Sequence, residues 1–273
     1  MNIGALIKSS GVRNFTKLLS ANVVAQVIGL VVYPILTRMY APEDFGLLNL
    51  FLSISGVLVI LSTAEYYNAI VLPKNDKEGV GVFYLCACIL FLVVGLTALS
   101  VFFSDELASL FNTPALANYY WLMPILVLVL GGWNILNYWY VRCAQYSSIS
   151  RYQLSQSTFS AITKIGFGHF GVLQGGMIYS IVLAPLISLI ISLLVSVRNK
   201  MVIAWPRPSW NNLKHVAYRY YKFPLYTLPR SFVNMVASNC RNSVSNLSSY
   251  FSCRAFENQI IRECLNSCPF SVS

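Results

Sequence analysis

The residues of this chain that could do chemistry are cations placed inside long apolar runs. Lys164 lies near the middle of the run Ser155 to Leu173, and Arg230 lies inside the stretch that begins at Phe223. A lysine well inside a membrane span costs at least about 2.5 kcal/mol, so such a residue usually faces protein or a water-filled cavity. The pattern predicts a cationic group that faces an aqueous cavity and binds an anion. Snorkelling of the ammonium group to the membrane surface is the alternative, although the reach is long.

Two apolar runs carry polar side chains at helical spacing. Residues three, four or seven positions apart lie on the same side of a helix, so each set forms one stripe. The stripes are Asn22, Gln26 and Tyr33 in the first run and Gln153, Ser157, Ser160 and Lys164 in the fifth. They predict helices that face protein or water on one side. Helix packing through small residues and hydroxyl groups is the competing interpretation.

The sequence holds no recognisable catalytic arrangement. It has no nucleotide-binding glycine loop with its lysine, no paired acidic residues across a span, no His, Cys and Asp set at metal-ligand spacing, and no serine with a credible base. Only two histidines are present. We therefore predict that the chain is not an enzyme and uses no cofactor and no metal.

Composition sets the class of the protein. Of its 273 residues, 56% are hydrophobic and only 10% are charged, and the mean hydropathy is +0.62. A soluble domain carries roughly 25% charged residues, so the sequence predicts an all-α polytopic protein of the lipid bilayer. The net charge of +10 would suggest nucleic-acid binding in a soluble protein. Here the basic residues lie in short loops, where they act as topology signals, so no nucleic-acid partner is expected.

Six runs approach the length of about 20 apolar residues that a membrane-spanning helix needs. They are Leu18 to Leu36, Phe45 to Ser62, Val80 to Phe103, Tyr119 to Tyr140, Ser155 to Leu173 and Met177 to Val197. The fifth is the weakest, because it is polar and rich in glycine. It is counted because Lys and Arg residues then fall in every second loop, whereas the loop with Asp105 and Glu106 has none. This alternation predicts a cytoplasmic N-terminus.

The same pattern divides the chain into four segments. Residues 1–197 are predicted to form a six-helix transmembrane bundle, and residues 198–222 a basic cytoplasmic linker. Residues 223–239 are the predicted start of a seventh span. Residues 240–273 form a polar tail that holds four of the seven cysteines: Cys240, Cys253, Cys264 and Cys268.

Three short segments carry a resemblance to a known family. The corner after the first run, YPILTRMYAPEDFGLLNL, contains Arg38, Pro42, Glu43, Phe45 and Gly46 in the pattern of the family's first periplasmic turn. YYNAIVLPKNDKE follows the second span, and RYYKFPLYTLPRSFVN opens the second half. From Met1 to Asn239 the chain resembles the polysaccharide exporters, the lipid-linked oligosaccharide flippases of the multidrug/oligosaccharidyl-lipid/polysaccharide exporter superfamily.

The resemblance implies a two-bundle exporter fold whose central cavity opens alternately to each side of the bacterial inner membrane. It implies an undecaprenyl-diphosphate-linked oligosaccharide as cargo, moved for surface polysaccharide or O-antigen biosynthesis, with polysaccharide polymerase and glycosyltransferases as partners. A diphosphate cargo makes Lys164 and Arg230 the best binding candidates, with Arg38 at the periplasmic rim. Asn22, Gln26 and Ser160 are the expected cavity-lining residues. These positions follow from charge and placement, because no binding motif of the family matches them.

The tail departs from the family, whose members continue through further spans. A shifted reading frame is the preferred interpretation of residues 240–273, and it predicts a truncated chain that does not transport alone. Two other functions compete. A multidrug or cation exporter of the same superfamily is expected to place acidic residues in its cavity. A membrane-embedded glycan-assembly subunit is expected to carry larger external loops than this sequence has.

Overall fold

The computed structural model describes residues 10–73, 75–110, 113–170, 175–198, 210–221 and 223–237, and within these ranges it contains helices and turns but no strand. The longer helices are α1 (Ser10–Met39), α2 (Pro42–Thr63), α3 (Asp76–Ser100), α4 (Met123–Arg142), α5 (Tyr146–His169), α6 (Gly176–Arg198) and α7 (Trp210–Arg219). Short helices at Tyr66–Val71, Val101–Phe103, Ser104–Leu110, Pro114–Leu116 and Ala117–Tyr120 connect them. A further helix covers 223–237.

Five helical segments in the described ranges are long and apolar enough to cross a membrane: Thr16–Met39, Pro42–Thr63, Glu78–Leu107, Met123–Arg142 and Gly176–Arg198. They correspond to the first four predicted spans and the sixth, so the all-α polytopic fold class is confirmed. α5, the predicted fifth span, is about 36 Å long at 1.5 Å per residue, but it is too polar to qualify by composition. Its crossing of the membrane stays a prediction.

The chain divides into two compact units, Met1–Leu228 and Pro229–Ser273. The first contains α1 to α7. In the second, residues 229–237 are described and are helical. Ten residues of the predicted linker, Trp210–Arg219, form α7. A helix begins at 223, where the seventh span was predicted to start. The predicted tail at 240–273 lies outside the described residues.

The corner between α1 and α2 is formed by local chemistry. Ala41 is extended (φ −72°, ψ 155°) and Pro42 occupies the first turn of α2. A proline disfavours helical conformation in the residue before it, and its own fixed φ suits the first helical position. The Asp44 carboxylate accepts a hydrogen bond from the Ala41 N–H at 3.2 Å. The chain therefore ends one helix and starts the next within three residues.

The connection between α2 and α3 is held by a buried cation from α4. Arg142 is the last residue of α4, and its side chain is only 10% exposed. Its guanidinium group donates to the carbonyl oxygens of Ile70 and Pro73, both at 2.8 Å, and to that of Asn75 at 3.3 Å. It also forms an ion pair with Asp76 at 3.0 Å. Arg142 thus fixes the start of α3 against the end of α4.

α5 packs along both α1 and α6. It runs in the same direction as α1, because two hydrogen bonds join the helices in matching order. Near one end, Ser150 Oγ donates to the Lys17 carbonyl oxygen at 3.5 Å. Near the other end, Tyr40 Oη donates to the Lys164 carbonyl oxygen at 2.8 Å. If successive spans cross the membrane in opposite directions, the first and the fifth must run in the same direction, as α1 and α5 do.

Candidate functional site

A groove between α1 and α5 forms a cavity of about 350 Å³. The α1 wall is apolar apart from the phenol of Tyr33. The α5 wall is polar, and its lining residues are Gln156, Ser157, Ser160, Ala161 and Lys164. We call this cavity the α1–α5 groove. Its volume falls in the range of small-ligand sites, so it can hold a headgroup or part of a larger molecule.

Lys164 lies at the end of this groove that is nearest to Tyr40. The sequence placed it near the middle of its run, whereas the structure places it five residues before the end of α5. Side chains on a helix lean towards its N-terminus, so Lys164 extends back along the groove towards Ser160. Among the described residues, Arg142 pairs with Asp76 and Arg219 pairs with Glu78, and Lys164 takes part in neither pair. Lys164 therefore has no carboxylate partner among them and offers a partly buried cation to a ligand.

Two members of the α1 stripe lie beside the groove rather than in its lining. α1 buries the side that carries Ala21 and Leu36. Asn22 is half-buried and Gln26 is exposed, since successive residues on a helix are turned by roughly 100°. Their side chains lie on the flank of the packed face. Cargo contact by these two residues stays a prediction, whereas Tyr33 of the same stripe does line the groove.

The two predicted arginines, Arg38 and Arg230, are both exposed. Arg38 is exposed in the last turn of α1. Arg38 comes two positions after Leu36, which lines the groove. Two positions correspond to a turn of roughly 200° around the helix axis, so the Arg38 side chain lies on nearly the opposite side of α1 from Leu36. Arg230 is exposed and belongs to the second unit. Their roles in binding stay predictions.

Tyr40 is a residue of this region that was not among the site residues predicted from the sequence. It is 4% exposed, and its ring lies in a notch next to two glycines. A Cβ at Gly168 would lie 3.2 Å from the Tyr40 ring, and a Cβ at Gly176 would lie 3.2 Å from its hydroxyl oxygen. Burial and the nearby Asp44 carboxylate raise the pKa of Tyr40, so its hydroxyl stays protonated and donates to the Lys164 carbonyl. In the sequence, Gly168 and Gly176 could indicate a close approach of another side chain, but they could not identify that side chain as Tyr40.

Replacing Tyr40 with phenylalanine removes this hydrogen bond and keeps the ring in its notch. A buried hydrogen bond contributes about 1 kcal/mol, so we expect Tyr40→Phe to lower the thermal unfolding midpoint by about 2–4 °C. Intrinsic fluorescence of the detergent-solubilised chain measures the midpoint. Tyr33→Phe is the control, because its side chain is 59% exposed and should shift the midpoint little. An unchanged midpoint in Tyr40→Phe would mean that apolar packing alone holds α1 against α5.

Comparison with known proteins assigns the chain to a family. The model of the polysaccharide biosynthesis protein family matches residues 12–252. The chain belongs to this family. No curated protein and no solved structure matches the chain. The matched range contains both walls of the α1–α5 groove and all three segments on which the resemblance rested, so that prediction is confirmed. The chain is a multi-pass membrane protein of polysaccharide biosynthesis and export.

Proposed function

We propose that this member of the polysaccharide biosynthesis protein family is a flippase for polyprenyl-diphosphate-linked oligosaccharide, and that the α1–α5 groove binds the diphosphate. The observation that carries the proposal is Lys164, a partly buried cation without a carboxylate partner among the described residues, in a groove lined by hydroxyl groups. Undecaprenyl diphosphate is the proposed carrier lipid. The bacterial inner membrane is the proposed location, with the N-terminus in the cytoplasm.

The chemistry of the groove suits an anionic lipid headgroup. An ammonium group and hydroxyl donors replace the water that a phosphate loses on entering a site of low polarity, and charge-assisted hydrogen bonds are about twice as strong as neutral ones. Ser157 and Ser160 supply hydroxyl groups on the same wall as Lys164. The apolar α1 wall, with Ile28 and Val32, offers contact to a hydrocarbon chain. Transport by alternating access, without nucleotide hydrolysis or other catalysis, is part of the proposal.

A multidrug or cation exporter is the second candidate, and the groove disfavours it. Its lining residues include no Asp or Glu. Glu65 is a buried carboxylate elsewhere in the first unit, 3% exposed. It accepts hydrogen bonds from Tyr67 Oη at 2.9 Å and from Asn68 Nδ2 at 2.7 Å. These neutral donors come from the short helix that follows α2 and belong to that turn rather than to the groove.

Binding to three lipids that differ only in the headgroup tests the function. The chain is reconstituted in neutral-lipid nanodiscs and titrated with a polyprenyl diphosphate, the monophosphate and the free polyprenol. We expect affinity to fall in that order, with the diphosphate at least about tenfold tighter than the alcohol, which corresponds to 1.4 kcal/mol. Equal affinity for diphosphate and alcohol would overturn the proposal. A cationic dye that competes with the diphosphate would favour the drug-exporter alternative.

A further inference from the structure

A second, much smaller cavity lies between α5 and α6. Its volume is about 30 Å³, close to the share of volume that one water molecule occupies in the liquid. Six of its eight lining residues are polar: Ser148, Arg151, Tyr152, Ser155, Ser188 and Ser192. We call it the α5–α6 pocket. It shares no lining residue with the α1–α5 groove and lies on a different side of α5.

Two hydroxyl groups of this pocket have no hydrogen-bond partner within the described part of the protein. They belong to Tyr152, which is 2% exposed, and Ser188, which is fully buried. A buried hydroxyl group without a hydrogen-bond partner lowers the stability of the fold. Since both residues line the same small cavity, one ligand there can accept a hydrogen bond from each of them.

The remaining polar groups of the pocket are already engaged. Ser155 Oγ donates to the Tyr152 carbonyl oxygen at 2.9 Å, and Ser192 Oγ lies 3.1 Å from Tyr140 Oη. Ser148 Oγ accepts a hydrogen bond from an Arg151 amino group at 3.1 Å. The free bonding capacity of the pocket is therefore concentrated on Tyr152 and Ser188.

The charge of the pocket selects the sign of the ligand. Arg151 is an exposed cation at its rim, and none of the carboxylates described in the structure pairs with it. None of the described residues that line the pocket is acidic. A cation would be repelled by the guanidinium group, and an anion would be attracted to it. A water molecule could pair with the two hydroxyl groups but would gain nothing from the positive charge. The small volume of the pocket favours a compact anion over a phosphate group with its four oxygens.

We propose that the α5–α6 pocket binds one small monovalent anion of about the size of chloride. The anion accepts hydrogen bonds from Tyr152 and Ser188 and is attracted by Arg151. It links α6 to α5, the long helix that is too polar to qualify as a span by composition. This site is independent of the cargo groove, and its role is to stabilise the seam between the two helices.

Exchange of the anion tests the proposal on the whole detergent-solubilised chain. The thermal unfolding midpoint is measured in sodium gluconate and then with increasing sodium chloride at constant ionic strength. A ligand that binds only the folded state raises stability with its concentration, so we expect a chloride-dependent rise of about 5 °C. An identical midpoint in the two salts at every concentration would overturn the proposal.

Matched serine variants locate the effect. Ser188→Ala is expected to abolish the dependence on chloride. Ser180→Ala should retain it, because Ser180 is equally buried on α6 but donates to the Gly176 carbonyl oxygen at 2.9 Å. If Ser188→Ala does not fold, the exposed Arg151→Gln variant replaces it, and broadening of the ³⁵Cl NMR signal by the native chain should disappear in that variant. Chloride dependence that survives in Ser188→Ala or Arg151→Gln would show that chloride acts outside this pocket, and it would overturn the proposal.

Discussion

Lys164→Ala should weaken binding of a polyprenyl-diphosphate-linked sugar by about 10- to 100-fold. A hydrogen bond to a charged group contributes roughly 1.5–3 kcal/mol, and each 1.4 kcal/mol changes the dissociation constant tenfold. Lys164 is the one basic residue among the described residues that line the α1–α5 groove, so none of these neighbours can replace its charge. The measurement is titration of the lipid into nanodiscs that contain native chain or variant.

The controls separate local charge from the overall charge of the chain. Lys164→Arg keeps the cation and should retain most of the affinity. Arg198→Ala removes an exposed charge at the end of α6 and should change affinity by less than about twofold, because exposed charges are screened by salt. Equal binding by native chain and Lys164→Ala would remove Lys164 from the site. Equal losses in Lys164→Ala and Arg198→Ala would assign the effect to net charge.

Arg142→Ala should be the most destabilising single change in the connection between α2 and α3. It removes the donors to the carbonyl oxygens of Ile70 and Pro73, two buried residues. Each buried acceptor left without a partner costs about 1–3 kcal/mol, so the expected loss is about 3 kcal/mol. The thermal unfolding midpoint should fall by about 6–12 °C. The ion pair with Asp76 adds little to this loss, because the Asp76 side chain is 95% exposed.

Arg219, an exposed arginine that also pairs with a residue of α3, provides the control for Arg142. Arg219 pairs with Glu78 at 3.2 Å, but its side chain is 56% exposed. Exposed ion pairs contribute about 0–1 kcal/mol, so Arg219→Ala should shift the midpoint by less than about 4 °C. Similar shifts in the two variants would show that Arg142 acts as a surface charge and not as a fixed partner of the two carbonyl groups.

Sequence alone was sufficient wherever the cause is local. The length and composition of the apolar runs predicted the polytopic helical fold and the five segments that qualify as spans. The corner after α1 was predicted from its residues, because Pro42 and Asp44 determine the start of α2 through contacts within a few positions. The same residues carried the resemblance to the family that the matched range confirms.

The tertiary structure decided which faces meet. A polar stripe shows that one side of a helix avoids lipid, but it does not identify the neighbour on that side. Only the packing of α5 against α1 brings Tyr33 and Lys164 into one groove and leaves Gln26 exposed. Tyr40 and Arg142 act through backbone carbonyl groups of other helices and loops. Because every residue has a carbonyl group, no residue type in the sequence could reveal which ones would be their partners.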